Sequence, residues 1–73
     1  MAIDKRVANQ ELDDLLTGMS WHRNDLAAYR KKGDAANVAL CERLLKLDHA
    51  RIRSYCAEHD LELPHDVPPE GAA

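Results

Sequence analysis

Phenylalanine is missing from this chain, and its aromatic complement is one Trp and two Tyr, so any core it forms is built from Leu, Ala, Ile and Val, as in helix bundles. Glycine and proline are scarce as well, with three of each, and the first proline is Pro64. Everything before it is therefore free of the residue that most effectively breaks a helix. No apolar run approaches the roughly 18 to 20 residues that a membrane span requires. The opening Met1-Ala2-Ile3-Asp4-Lys5-Arg6 lacks the apolar stretch of a signal peptide, so the reading expects a cytoplasmic chain without membrane contact. Also missing are a nucleophile beside a base, paired carboxylates and a phosphate-cradling loop, which excludes the common catalytic constellations; neither enzymatic activity nor a cofactor is expected. Cys56 and His59 share a helix face, but the chain offers no second pair to complete a four-ligand set, so no metal is expected. Cys41 and Cys56 fall in one predicted helix, where about 22 Å separates them at the helical rise. A disulfide needs Cα atoms within about 7 Å, so both thiols are expected reduced and buried.

What the chain does have is helical periodicity on both sides of one interruption, Arg30-Lys31-Lys32-Gly33-Asp34. Upstream, Ala8, Leu12, Leu15, Met19, His22, Leu26 and Tyr29 form one apolar stripe, broadened by Leu16. Downstream, Val38, Cys41, Leu45, Asp48, Ile52, Tyr55 and His59 form another, with Leu44 and Cys56 alongside. Both follow the 3.5-residue spacing of coiled-coil and antiparallel bundle packing. Helix 1 is predicted from about residue 4 to 32, ending with three cations against its negative dipole end and Gly33 as the stop. Asp34 then caps helix 2, which runs from about 35 to 60. Gly18 is the weak point of helix 1, but an interior glycine costs only about 1 kcal/mol and the heptad continues through it, so one helix is expected.

An antiparallel hairpin with this turn pairs Tyr29 with Val38, Leu26 with Cys41, Leu15 with Ile52 and Leu12 with Tyr55. Between these layers it sets His22 beside Asp48, a buried polar pair in which each partner satisfies the other and which fixes register. A domain of 73 residues buries only about 60% of the surface that its unfolded chain exposes, so one hairpin needs further apolar cover. The expected fold is all-α, a two-helix hairpin over residues 1–60 that dimerises into a four-helix bundle, followed by an extended or disordered tail over residues 61–73 with Pro64, Pro68 and Pro69. Leu61 and Leu63 are candidates to fold back onto the bundle.

The net charge of −3 is unevenly spread. Residues 1–19 are acidic on balance, 20–53 are basic, and 54–73 carry Glu58, Asp60, Glu62, Asp66 and Glu70 with no Lys or Arg. Two hairpins stacked with their turns at opposite ends would set basic halves against acidic ones. Trp21 lies far from the helix 1 stripe, next to Asp25, and Leu40 and Leu47 lie off the helix 2 stripe; these four are the candidate protein-contact residues. Arg23, Arg30, Lys31, Lys32, Arg43 and Lys46 gather toward the turn and are the candidate nucleic-acid contacts.

With Cys41-Glu42, Leu44, Asp48-His49-Ala50 and Cys56 in its second helix, its length and its single short turn, the chain resembles the Rop family of plasmid-encoded RNA-binding hairpins. The resemblance implies a dimeric helical hairpin. That family's RNA-contacting helix 1 face uses basic, amide and Phe side chains, whereas this chain has Glu11, Asp13 and Asp14 there, so no RNA-binding residue carries over. The layout is also similar to small hairpin co-chaperones of type III secretion systems. The function expected is that of a non-enzymatic adaptor or regulator acting by protein–protein contact as a homodimer, with a small nucleic-acid-binding regulator as the alternative.

Overall fold

The structure, a computed structural model, describes residues 4–69. Two helices, α1 (Lys5–Lys32) and α2 (Ala35–Glu58), pack against each other, and no strand occurs among the described residues. Asp4 caps α1, its carboxylate accepting from the Arg6 N–H at 2.7 Å. Helix α1 continues through Gly18 without interruption.

The reversal is built from local chemistry. Gly33 takes the left-handed conformation with φ +72°, where a side chain would be strained, and its N–H bonds back to the Arg30 carbonyl at 3.1 Å. The Asp34 N–H reaches the Tyr29 carbonyl at 3.0 Å, so two otherwise orphaned helix-end carbonyls are satisfied. Asp34 then opens α2 by accepting from both the backbone N–H and the side-chain amide of Asn37, bonds that hold its carboxyl below the usual carboxylate range.

Two cross-helix hydrogen bonds set the register. His22 Nδ1 lies 2.5 Å from Asp48 Oδ2, and the Tyr55 hydroxyl donates to Glu11 Oε2 at 2.8 Å. Leu26 and Cys41 are buried between the first of these and the turn. Leu12, Met19, Ile52 and Cys56 form the main cluster toward the open end, with Leu15, Leu16, Leu45 and Tyr55 against it. Both cysteines are free and buried, and burial pushes the Cys56 thiol up from its ordinary value.

The segment after α2 departs from the expectation of an extended or disordered tail. The chain turns at Asp60, a non-glycine residue with φ +53°, where the Leu61 N–H bonds back to the Cys56 carbonyl at 2.9 Å. Aspartate tolerates this left-handed position better than most side chains. Pro64 to Val67 closes a second turn through the Val67 N–H and the Pro64 carbonyl at 3.0 Å. The result is that Val67, only 1% exposed, enters the cluster of Leu12, Met19, Ile52 and Cys56, while Leu61 and Leu63 pack on its margin. Arg53 donates to the Pro68 carbonyl at 3.0 Å and Arg23 reaches Asp66 at 3.5 Å, so a cation from each helix holds the strap. Residues 1–3 and 70–73, part of the predicted hairpin and tail, lie outside the described residues.

If this strap is part of the core, Val67→Ala destabilises the fold by about 1–3 kcal/mol in urea denaturation, the cost of removing two buried methyl groups and leaving a void. Val7→Ala, at a position 47% exposed in α1, changes stability by no more than about 0.5 kcal/mol. Equal effects at the two positions would contradict the packing.

Candidate functional site: the face opposite the tail

The strap divides the hairpin into two unlike broad faces. On the covered face lie Arg23, Met19, Arg53 and Cys56, which the tail residues touch. On the other face, Glu11, Asp14 and Leu15 of α1 and Arg51, Tyr55 and Glu58 of α2 line an open groove of about 700 Å³. Helical spacing extends this open face toward the turn. From Asp14, steps of four, seven and eleven residues reach Gly18, Trp21 and Asp25 on α1. From Arg51, steps of four and seven reach Leu47 and Leu44 on α2, and Leu40 is one further heptad along.

Trp21, Leu40 and Leu47, predicted separately as contact residues, thus belong to one surface. They are 68%, 49% and 54% exposed, and with Val7 they are the most exposed large hydrophobic side chains among the described residues. Asp25 is exposed on the same face. An added Cβ at Gly18 would meet nothing within 4 Å, so the space beside this position is open.

Charge on this face divides by helix. Glu11, Asp14 and Asp25 lie along α1, with no Lys or Arg on the same flank until Lys32, whose ammonium stands 5.9 Å from the Tyr29 ring centroid. Arg51 lies on this flank of α2 with Arg43 at its outer edge, and Glu58 near the helix end is the acid; Lys46, one heptad before Arg53, falls on the strap side. The remaining acids of α2 are engaged elsewhere: Glu42 with Arg30 at 3.6 Å and Asp48 with His22.

The candidate nucleic-acid contacts do not form one surface. Arg23 is tied to Asp66 on the covered face, Arg30 to Glu42, and Lys32 to the Tyr29 ring. Lys31, Arg43 and Lys46 are exposed, the first at the end of α1, the second on the outer side of α2 and the third on its strap side, one heptad before Arg53.

His22 and Asp48 pair as expected but are not enclosed: their side chains are 34% and 14% exposed, and no polar residue among those described is fully buried. A two-helix contact surrounds its seam on too few sides to hide an imidazole. Neither residue lines the groove, and their bond links the helices at mid-length, which suits a register pin. His59, which shares a helix face with Cys56, packs against Tyr55 with its ring tilted and the ring centroids 4.4 Å apart. Sequence reasoning missed that Tyr55, Glu11 and Arg51 line one groove; the signal was helical spacing, with Glu11 one and two heptads before Gly18 and Asp25 and Arg51 one turn after Leu47.

Two measurements check this geometry. His22→Leu alone lowers stability by about 1 kcal/mol because it leaves the Asp48 carboxylate without its partner, whereas His22→Leu with Asp48→Leu is close to neutral; a double variant whose loss is the sum of the two single losses would show that the pair is not a unit. The Tyr55 hydroxyl, ordinarily near 10, is pushed up to about 12, by partial desolvation first and by its bond to the Glu11 carboxylate second. Folding thus favours its protonated form, and this contribution is complete below pH 10 and is lost as pH rises toward about 12. Tyr55→Phe should flatten that part of the alkaline stability profile.

No helix among the described residues is long and apolar enough to cross a membrane. Comparison of the chain with protein-family models, with curated proteins and with solved structures finds no match.

Proposed function

We propose that this chain is a small cytoplasmic, non-enzymatic helical adaptor or regulator that acts by protein–protein contact as a homodimer, using the face opposite its tail. The observation that carries the reading is the gathering of Trp21, Leu40 and Leu47 on one uncovered face whose counterpart the chain closes with its own strap. Large apolar side chains exposed on one face are a mark of interaction sites, and Trp is among the side chains most enriched at their energetic centres. The acids of α1 along one margin and the cations of α2 along the other give the face a polarity that selects orientation and partner.

The alternative, a small nucleic-acid-binding regulator with a Rop-like layout, has less support. Of its six candidate cations, Arg23, Arg30 and Lys32 have partners within the chain, and the formal net charge is −3. Phosphate binding depends on cations that converge, and these diverge over both broad faces and the turn.

Affinity capture from native lysate, with and without nuclease, separates the two readings. Protein contact predicts a co-purifying protein, a second copy of the chain included, that survives nuclease, depends weakly on salt and is lost with Trp21→Ala. Nucleic acid recovered with the chain, released steeply by salt and by substitution of Lys31, Arg43 and Lys46 but not of Trp21, would overturn the proposal.

A further inference from the structure

We propose that the occupant of the open face is a second copy of this chain, packed with both turns at the same end so that α1 of each copy lies on α2 of the other. This deepens the protein-contact reading given above and rests on it. The arrangement reverses the one expected from the sequence, in which the turns lie at opposite ends.

The reason is the distribution of charge on the face itself. Counted along the chain, the open end is acidic and the turn half basic, which favours opposite ends. Much of that polarity is not on the open face: Asp66 is spent on Arg23 across the tail side, and Glu42 and Asp48 face other partners. What remains on the open face is an acidic α1, with Glu11, Asp14 and Asp25, beside an α2 whose Arg51 and Arg43 outnumber its one acid there, Glu58. Stacking with the turns apart would lay α1 on α1 and α2 on α2, setting like charges together. Stacking with the turns together lays each acidic helix on a basic one.

Heights along the bundle then match layer by layer. A two-fold axis parallel to the hairpin keeps every residue at its own level, so α1 meets in the second copy the part of α2 that lies at the same height in its own chain. The His22–Asp48 bond gives that height directly. Trp21 comes opposite Leu47 of the second copy, Asp25 opposite Arg43, and Tyr29 opposite Leu40. At Gly18, where nothing stands within 4 Å of an added Cβ, the second copy's Arg51 finds room and extends toward Asp14. One like-charge meeting remains, Glu11 with Glu58 at the open end. The molecule measures 46 × 24 × 19 Å, so its broad face is large enough for the roughly 800 Å² per partner of a standard interface.

Sedimentation equilibrium of the full chain, with a charge-swap cycle, tests the proposal. The wild type is expected to be dimeric at micromolar concentration. Asp25→Lys and Arg43→Glu each weaken the dimer about fivefold to tenfold, and the double substitution recovers most of the affinity, because each single change places like charges together twice in a two-fold dimer. Trp21→Ala weakens it more than about tenfold. Asp25 and Arg43 are solvent-exposed, so the helical circular dichroism of these variants should match that of the wild type. A dimer in which the double substitution gives no recovery would overturn the same-end arrangement. A well-folded monomer at about 100 µM would overturn the second copy as occupant, while the capture experiment above would still decide whether another protein is bound.

Discussion

Two helices laid side by side touch along one seam, and everything else in this structure follows from how little that seam can cover. Each helix carries an apolar stripe wider than the contact line, so a hairpin leaves two flanks open. The chain closes one of them itself: Asp60 turns the backbone, and Val67 enters the gap between Met19 and Ile52. The other flank has no such cover, and there the large hydrophobic side chains remain in solvent. The hairpin is thereby left with one strapped face and one open face.

Polar groups decide how that surface is arranged. A purely apolar seam lets two helices slide by a turn at small cost, whereas the His22–Asp48 and Tyr55–Glu11 bonds tie mid-length and open end to one register. Once register is fixed, Trp21 stands level with Leu47, and Asp25 with the region of Arg43. The acids of α1 and the cations of α2 thereby become two margins of one face, which is why a self-complementary contact can be argued from a single chain.

Helices and turn were legible in the sequence because each is specified locally. The heptad runs from Ala8 to Tyr29 and from Val38 to His59, and Gly33 with Asp34 supplies a left-handed stop followed by a cap. Gly18 does not break α1, since the stripe on either side of it is packed. The His22–Asp48 pairing was legible from the same periodicity, but its burial was overestimated because the pattern does not say how few neighbours a two-helix seam provides. The tail was legible only in the fold-back of Leu61 and Leu63: with three prolines it has no period, and the left-handed Asp60 and the Pro64–Val67 turn that bury Val67 act through tertiary contact. The open face was half legible. Trp21, Leu40 and Leu47 each stood out from their own helix, but joining them required the hand of the hairpin, which settles which flank of α1 lies beside which flank of α2.

The most direct measurement is of nuclear Overhauser contacts from the Val67 methyl groups in the full-length chain. The account predicts strong contacts to the side chains of Met19 and Ile52, with Leu61 and Leu63 shifted from random-coil positions. Sharp random-coil signals for residues 61–67 without those contacts would contradict a hairpin that closes one face with its own tail, and with it the unlike faces from which the contact surface is argued.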